Sequence, residues 1–252
     1  MSVSALKVTE ALFIKYKISK RVAKKYLKSG LVEYRTKKVN KDITIENIND
    51  LELKVEKKSF DINVENYILL KTENTLFIYK PPFVHTERIR LEDDICISDL
   101  IDNYFSDFRL ISRLDYETDG IIPAIKENIK IINQEKMYLA WVNGIVDKNF
   151  TIENRIDAAK KRKVIVLDEE GDNELSITVL KNLPDKTLLS IKIESAHRHQ
   201  IRASLAHYGY PIIGDKLYGK DNYSRLLLQC YYTSINGISY KLPEDKLIDK
   251  VF

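Results

Sequence analysis

A run of short strand-like segments constrains the fold of this chain more than any other feature. Six apolar segments rich in β-branched residues follow one another: TLFIYK (75–80), GIIPAIK (120–126), MYLAWVNGIV (137–146), KVIVLDEE (163–170), ELSITVL (174–180) and TLLSIKIES (187–195). Helical pieces lie between some of them, for instance at 98–105. Strict βαβ alternation would predict a parallel sheet, whereas strands in runs predict an α+β fold with a mixed, largely antiparallel sheet.

Length and composition place the chain among globular proteins. Its 252 residues suffice for one large domain, or a large and a small one, with a core that needs no disulfide or metal. The residues are 44% hydrophobic and 31% charged, and no apolar run reaches the roughly 18 residues of a membrane span. Two cysteines, Cys96 and Cys230, are too few for a disulfide framework. Charges are scattered through residues 1–17, so we expect no secretory signal and a cytoplasmic protein.

The charge is distributed unevenly along the chain. Residues 1–57, here called the basic head, hold 14 Lys+Arg and 7 Asp+Glu, whereas the rest of the chain has a net charge of −3. A basic segment on a nearly neutral body is typical of proteins that bind a polyanion. Charge alone leaves open the alternative of a solvated, lysine-rich surface without such a partner.

The basic head predicts two helices followed by short strands. In SKRVAKKYLKSG, Ser19 is expected to be the N-cap and Gly30 the C-terminal stop of a helix. Its inward face is expected to consist of Val22, Ala23, Tyr26 and Leu27. Its other faces carry five basic side chains at helical spacing: Lys20, Arg21, Lys24, Lys25 and Lys28. Like charges at i,i+4 repel, and a phosphate backbone would relieve that repulsion.

The basic head resembles the small RNA-binding domain named after ribosomal protein S4. The resemblance covers roughly residues 3–57: the basic second helix, the glycine stop, a strand pair and an acidic turn that leads into Leu51-Glu52-Leu53. Arg35-Thr36 stand where that family usually has a Val-Asn-Gly turn. The resemblance implies contact with RNA.

The segment RLISRLDYETDG (109–120) carries the first group of candidate site residues. Arg113 and Asp115 are two residues apart on a strand-like run, so their side chains are expected to point to the same side. A turn is expected at Asp119-Gly120. From the residues alone, a charged strand end before a hairpin is the simpler interpretation.

Two further segments carry candidate site residues. MYLAWVNGIV places Tyr138 among apolar neighbours, which is the ordinary setting of a buried tyrosine. ESAHRHQIRASLAHYGYPIIGDKLYG predicts a strand that leads into a helix from near Ser195 to Gly209. Arg198 and Arg202 would then lie four residues apart near the helix N-terminus and could clamp an anion or a carboxylate.

Three histidines in the last segment, His197, His199 and His207, suggest a metal site at first sight. Zinc usually takes four ligands with help from cysteine or carboxylate, and neither cysteine is nearby in the sequence. We therefore predict no metal. Cys96 has no nucleophile motif around it and is expected to be a buried thiol.

Four segments in order resemble the motifs of the RluA family of RNA pseudouridine synthases. They are YKPPFVHTE (79–87), SRLDYETDG (112–120), KMYLAWVNG (136–144) and SAHRHQIRASLAHYGYPIIGDKLYG (195–219). An S4-like head is a familiar arrangement in that family. The resemblance implies an S4-like domain over residues 1–57 and a pseudouridine synthase catalytic domain over residues 58–252.

The chain departs from the family pattern at three places. Ser112 replaces the usual histidine before Arg-Leu-Asp, and Asp119 replaces the serine of Thr-Ser-Gly. Ala196-His197-Arg198 stand for Gly-Arg-Thr, so one arginine lies a position later than usual. The positions that the family uses for catalysis are unchanged, and activity is expected to be retained.

The resemblance implies a mechanism and assigns roles to four residues. The glycosidic bond of a uridine breaks, the uracil turns over in the pocket, and the base rejoins the sugar through carbon 5, without a cofactor. By motif position Asp115 is the catalytic aspartate, Arg202 pairs with it, and Tyr138 stacks on the uracil. Arg113 fills the space that the flipped base leaves. Direct attack of Asp115 on the sugar and removal of the 2′ proton both remain open.

The partner implied by the resemblance is RNA. Large-subunit ribosomal RNA is favoured, transfer RNA is the alternative, and a monomer is expected. RNA contacts outside catalysis are expected from Lys20, Arg21, Lys24, Lys25, Lys28, Arg198 and His199. Two alternatives belong to other functional classes: a catalytically degenerate RNA-binding or ribosome assembly factor, and a metal-dependent nuclease or deaminase built on the histidines.

Overall fold

The computed structural model describes residues 6–16, 18, 20–55, 63–89, 94–157, 163–194 and 196–252. Ser19, Ser195 and the side chain of Arg21, all named above, lie outside the described part. The chain divides into two compact units, residues 1–62 with 87–99 and residues 63–86 with 100–252.

The first unit contains two helices and two small antiparallel sheets. In chain order its elements are β1 (Leu6–Lys7), α1 (Val8–Tyr16), α2 (Lys20–Lys28), β2 (Val32–Tyr34), β3 (Lys37–Lys38), β4 (Thr44–Ile45) and β5 (Leu51–Leu53). Strand β1 pairs with β4, and β2 pairs with both β3 and β5. The predicted order of two helices followed by short strands is confirmed for the described residues, except that the two-residue strand β1 precedes α1.

Helix α2 ends where the sequence predicts. Gly30 has a φ of +67°, and the Leu31 N–H donates to the Tyr26 carbonyl at 3.1 Å, which closes a Schellman motif. The predicted inward residues are buried: Val22, Ala23, Tyr26 and Leu27. Four of the predicted basic side chains are exposed: Lys20, Lys24, Lys25 and Lys28. Lys20 also forms an ion pair of 2.9 Å with Glu10.

The Arg35-Thr36 turn joins β2 to β3 as a tight hairpin. Both residues have positive φ, 48° and 66°, which a two-residue turn of type I′ requires and which normally selects glycine or asparagine. Arg35 is held in place by Asp50 at 3.0 Å and Glu46 at 3.1 Å. These contacts stabilise a turn whose residues are otherwise unfavourable for it.

The remaining described elements are the strands of a large sheet and two helices, of which α3 begins within the first unit and ends in the second. The elements are β6 (Ile68–Lys71), β7 (Thr75–Lys80), α3 (Ile97–Tyr104), β8 (Phe108–Leu110), β9 (Asp119–Lys126), β10 (Gln134–Asn143), β11 (Phe150–Asp157), β12 (Ile165–Leu167), β13 (Asn173–Leu183), β14 (Lys186–Ile193), α4 (Gln200–His207), β15 (Leu228–Ile235) and β16 (Ile238–Lys241). Within the described ranges the longest helices have nine residues, and none is long and apolar enough to cross a membrane.

Eleven strands pair into one sheet in the order β12-β11-β13-β14-β10-β15-β9-β7-β6, with β16 added to β15 and β8 to β9. Among the described strands every pairing in this sheet is antiparallel except that of β9 with β15, which is parallel. The predicted α+β fold with a mixed, largely antiparallel sheet is therefore confirmed.

The segment between β8 and β9 differs from the prediction. Strand β8 ends at Leu110, and residues 111–118 form an irregular loop, so Arg113 and Asp115 do not share a strand face. The backbone of Leu114 bonds to the hydroxyl of Thr86 rather than to a neighbouring strand. The predicted turn at Asp119-Gly120 is wrong as well, because both residues lie in β9.

Helix α4 begins later than predicted. It starts at Gln200 because His199 has a φ of 55°, a left-handed conformation that cannot be part of an α-helix. Arg198 therefore precedes the helix, and its predicted i,i+4 relation to Arg202 on one helix is wrong. The predicted end is confirmed: Gly209 has a φ of +88°, and the Tyr210 N–H donates to the Leu205 carbonyl at 2.8 Å.

The buried face of α4 is fixed to the sheet by a polar contact. Asn173 on β13 donates from its side-chain amide both to Asn154 on β11 and to the hydroxyl of Ser204 on α4. Because all three side chains are buried, each hydrogen bond replaces one that water would otherwise make. This contact joins α4, the helix that carries Arg202, to the sheet.

Candidate active site

Asp115 and Arg202 form an ion pair although they are 87 residues apart in the chain. The Asp115 Oδ2 accepts a hydrogen bond of 3.0 Å from the Arg202 Nη1. The Arg202 side chain is 5% exposed and that of Asp115 26% exposed. The guanidinium is therefore enclosed by protein, while part of the carboxylate remains accessible.

Three further groups hold the guanidinium of Arg202. Its Nε and Nη2 each donate to Asp215 at 2.8 Å, and Nη2 also donates to Glu117 at 3.3 Å. The ring of Tyr218 lies 5.7 Å from the guanidinium carbon. Burial alone would lower the pKa of Arg202, but the hydrogen bonds and charges of Asp215 and Asp115 outweigh burial and raise it. Arg202 is thus a permanently charged, rigidly held partner for Asp115.

Asp215 is the counter-charge that makes a buried Arg202 possible. Its side chain is fully buried and also accepts from the N–H groups of Leu217 and Tyr218, at 2.9 and 3.0 Å. Burial acts to raise the pKa of Asp215, but the bonds from Arg202 and these N–H groups outweigh it and lower the pKa. Asp215 therefore stays ionised, and because it binds Nε and Nη2, the Nη1 of the guanidinium is left for Asp115.

The loop that carries Asp115 is pinned by buried side chains. The Thr86 hydroxyl donates to the Leu114 carbonyl at 2.9 Å and accepts from the Leu114 N–H at 3.1 Å. The Thr118 N–H donates to the Asp115 carbonyl at 3.1 Å. The backbone of Leu114 and that of Asp115 are thus fixed without regular secondary structure.

Lys80 binds the backbone of the same loop through its side-chain ammonium. Its fully buried ammonium donates to the carbonyls of Pro81 at 3.0 Å, Val84 at 2.7 Å and Tyr116 at 3.2 Å. Burial lowers the pKa of Lys80 to about 8, against the opposing effect of Asp119 and Asp115. Lys80 therefore joins residues 81–84 to the loop that carries Asp115, and its ammonium loses its charge as pH rises through about 8.

Tyr138 faces the same cleft from strand β10. The cleft has a cavity volume of about 60 Å³ and is lined by Arg113, Leu114, Asp115, Thr118, Tyr138, Ile193, Ala196, His197, His199, Gln200, Ile201, Arg202 and Leu228. Burial raises the pKa of Tyr138 well above its ordinary value, so its hydroxyl keeps its proton at neutral pH. The structure thus brings together Asp115, Tyr138 and Arg202.

His199 also lies beside the Asp115 carboxylate. Its Nε2 lies 3.8 Å from the Asp115 Oδ2, and its Nδ1 lies 3.0 Å from the Tyr218 hydroxyl. That hydroxyl accepts from the Val164 N–H at 2.8 Å, so its own proton is free to go to Nδ1. Burial lowers the pKa of His199, with the Asp115 charge acting in the opposite sense. We infer a neutral imidazole with its proton on Nε2, toward Asp115.

The predicted RNA-binding residues lie at separate places. Arg113 and Arg198 are exposed in the second unit, Arg113 at the cleft and Arg198 in the turn before α4. His199 lies in the cleft beside the carboxylate. The described basic side chains of α2 belong to the first unit: Lys20, Lys24, Lys25 and Lys28.

Asp119, one of the departures from the family motif, belongs to a buried network. Its carboxylate accepts from the Tyr79 hydroxyl at 3.1 Å, the Gln229 amide at 2.7 Å and Arg225 at 3.2 Å. Ser112, another departure, has a buried hydroxyl with no hydrogen-bond partner among the described residues. Asp119 therefore anchors β9 beneath the site rather than facing the cleft.

The histidines point to different partners. His207 contacts Asp168 at 2.8 Å, and His197 lies 3.5 Å from Asp172. In the described part of the chain, no three side chains of His, Cys, Asp or Glu converge as metal ligands would.

Sequence reasoning missed four residues that shape the site: Lys80, Glu117, Asp215 and Tyr218. All four lie within the quoted motifs, but no spacing showed what they contact. One signal was available for Asp215. A guanidinium has five N–H donors, more than Asp115 alone can satisfy, and the Gly214-Asp215 pair follows Arg202 closely in the sequence.

Comparisons with known proteins identify the family of the chain. Residues 74–207 match the family model described as RNA pseudouridylate synthase. A Helicobacter pylori (strain J99) protein named uncharacterized RNA pseudouridine synthase is 31% identical over 93% of this chain and 96% of its own length. The ribosomal large subunit pseudouridine synthase C of Rickettsia prowazekii is 31% identical over 68% of this chain and 60% of its own length.

A solved structure shows the same fold. Human RNA pseudouridylate synthase domain containing 1 superimposes with a TM-score of 0.59 at 19% identity, over 75% of this chain and 88% of that one. The family match covers more than half of the chain, and the Helicobacter relative is similar over almost its whole length. The chain is therefore an enzyme of the RNA pseudouridylate synthase family, of the RluA type.

Proposed function

We propose that this enzyme isomerises uridine in large-subunit ribosomal RNA and that Asp115 is its catalytic aspartate. One observation carries the proposal: the Asp115 carboxylate is paired at 3.0 Å with the buried Arg202 and still lines an open cleft that it shares with Tyr138. A carboxylate held ionised and oriented in this way suits either attack on the sugar or removal of its 2′ proton.

The reaction balances without a cofactor. The bond from the anomeric carbon to N1 of uracil breaks and a bond from that carbon to C5 forms, while C5 loses a proton and N1 gains one. Arg202 stabilises the charged form of Asp115 throughout. Tyr138, protonated at neutral pH, offers a ring face to the uracil and a hydroxyl for proton transfer.

The target RNA is proposed from the relatives. Several are named ribosomal large subunit pseudouridine synthases, including the Rickettsia protein described above. We further propose that residues 1–57 form an S4-like RNA-binding domain, that residues 58–252 form the catalytic domain, and that the enzyme acts as a cytoplasmic monomer. Exposed lysines on α2 support phosphate contacts by the head. Transfer RNA remains the alternative target.

The test is carbodiimide-based mapping of pseudouridine in total RNA from cells without the gene, complemented by wild type, Asp115→Asn or Asp168→Asn. Asp168→Asn is the matched control because this exposed carboxylate pairs with His207 and does not line the cleft. We expect wild type and the control to restore a discrete signal in ribosomal RNA. The purified Asp115→Asn enzyme should be at least ~100-fold slower.

Other outcomes of the mapping assign other functions. A signal that disappears from transfer RNA instead would replace the proposed substrate. Restoration of the ribosomal signal by Asp115→Asn would remove Asp115 from catalysis. If loss of the gene slows growth and Asp115→Asn restores growth without restoring the pseudouridine signal, the protein has an RNA-binding or assembly role.

A further inference from the structure

Three aromatic rings cluster at the surface beside Asp115, and one of them belongs to the same loop, residues 111–118. Phe83 and Tyr116 meet edge to face with ring centroids 5.9 Å apart, and His85 lies 4.5 Å from Tyr116. Phe83 is 46% exposed and Tyr116 45% exposed. We call Phe83, His85 and Tyr116 the aromatic cluster.

Phe83 has a backbone conformation that favours glycine. Its φ is +63°, in the left-handed region where glycine is unstrained and a bulky side chain is not. The Phe83 N–H donates to the Tyr116 carbonyl at 2.8 Å, so this conformation is fixed. A half-exposed ring contributes little burial in return for that strain. Its value to the protein is therefore expected in contact with another molecule.

The aromatic cluster is preorganised by Lys80. The ammonium donates to the carbonyls of Pro81 and Val84, which flank Phe83, and to that of Tyr116. The backbones under both exposed rings are thus held by one buried side chain. A surface fixed in this way loses little conformational freedom when a ligand binds.

The position of the cluster identifies its occupant. Tyr116 directly follows Asp115, so their Cα atoms are ~3.8 Å apart. An RNA whose uridine reaches Asp115 therefore has its neighbouring nucleotides within reach of this surface. Unpaired bases stack on exposed aromatic faces with little regard to sequence.

We propose that the aromatic cluster is a stacking surface for a nucleobase adjacent to the target uridine in unpaired RNA. This assignment rests on the proposed function and extends it by a subsite that would favour single-stranded or looped targets. Stacking there would hold the RNA while the uridine is flipped toward Asp115.

Binding of a defined probe tests the stacking surface. A fluorescently labelled ten-nucleotide oligouridine would be titrated with the full chain as wild type, Phe83→Gly, Tyr116→Leu and Tyr104→Leu, with anisotropy as the readout. Tyr104 is the matched control because it is a 47% exposed tyrosine outside the cluster. We expect each cluster variant to weaken binding roughly tenfold and the control to change it less than twofold.

Two further measurements separate stacking from charge and from misfolding. Because no cation is removed, the salt dependence of binding should keep its slope. Phe83→Gly relieves the backbone strain, so its melting temperature should not fall. A changed salt slope, or cluster variants that bind like wild type, would overturn the proposal. So would a wild-type chain that does not bind the probe, which would leave a protein partner for these rings.

The stacking surface and the proposed function can fail separately. If wild type converts uridine and both cluster variants bind and react like wild type, the stacking surface is overturned and the proposed function stands. If the cluster variants lose binding while wild type converts no uridine in any RNA, the proposed function is overturned and the surface remains an RNA-binding one.

Discussion

At the scale of single residues, Lys80 joins the loop that carries Asp115 to residues 81–84, because its ammonium donates to the carbonyls of Tyr116, Pro81 and Val84. Replacing it with methionine keeps most of the side-chain volume but removes all three bonds. We expect Lys80→Met to lower kcat/KM roughly 100-fold, because small displacements of a catalytic group cost about that much. Single-turnover kinetics would measure it, with exposed Lys148→Met as the control.

The same lysine predicts a pH dependence with a definite sign. The pKa of Lys80 is lowered by burial to about 8, so kcat/KM of wild type should fall as pH rises through that value and the clamp loses its charge. Stability should change in the opposite sense. The ordinary pKa of lysine is 10.5, so between pH 8 and 10.5 Lys80 is protonated in the unfolded chain but largely neutral in the folded one. The contribution of Lys80 to the free energy of unfolding therefore increases with pH in that window.

Activity and stability profiles together check this prediction. A fall in activity above pH 8, with a melting temperature that does not fall in the same range, supports loss of the Lys80 charge as the cause. Alkaline unfolding in the same range would contradict it, and so would an identical alkaline limb in Lys80→Met.

The sequence predicted which residues meet in the site but not what holds them. Motif order alone placed Asp115, Tyr138 and Arg202 together, because a family resemblance carries three-dimensional proximity with it. The roles of Lys80 and Asp215 depend on which carbonyls and carboxylates the loops bring near them. Hydrogen bonds of that kind follow from the path of the loop and leave no period in the sequence.

At the scale of elements, the parallel contact between β9 and β15 depends on Gly120. A Cβ at this position would lie 2.2 Å from the Cys230 carbonyl oxygen, and the φ of +124° is itself unfavourable for other residues. We expect Gly120→Ala to lower the free energy of unfolding by about 3 kcal/mol or more, measured by urea denaturation.

Gly237 is the matched control for Gly120. It has a φ of +83°, but nothing lies within 4 Å of a Cβ built there. Gly237→Ala therefore carries backbone strain without a clash and should cost about 1–2 kcal/mol. Equal losses in the two variants would show that strain alone, and not the approach of β15, requires glycine at 120.

The strands were more predictable than the segments that carry the site. Apolar and β-branched runs found β7 and β10 within a few residues, because half-buried strands impose that pattern on a sequence. Residues 111–118 also looked strand-like, yet after Ile111, which donates to Pro123 on β9, the backbone of Leu114 bonds to the Thr86 hydroxyl and not to a strand. The start of α4 was missed because the left-handed conformation of His199 has no sequence signature.

At the scale of the whole molecule, the charge difference between the basic head and the rest of the chain predicts how RNA binding responds to salt. Three exposed lysines on α2, Lys24, Lys25 and Lys28, would be replaced by glutamine. If each contacts one phosphate of single-stranded RNA, the slope of log K against log salt should become shallower by ~2. Titrations of a labelled ribosomal RNA fragment at several salt concentrations would measure this slope.

Stability distinguishes an RNA-binding helix face from a structural one. Lys24 and Lys28 are like charges four residues apart, so their removal should leave the melting temperature unchanged or raise it. A matched variant, Lys148→Gln with Lys241→Gln and Lys250→Gln, removes three exposed lysines from the other unit. An equal loss of slope in both triple variants would indicate diffuse attraction to the whole surface. A loss confined to the α2 variant, with its stability intact, would assign the phosphate contacts to the basic head.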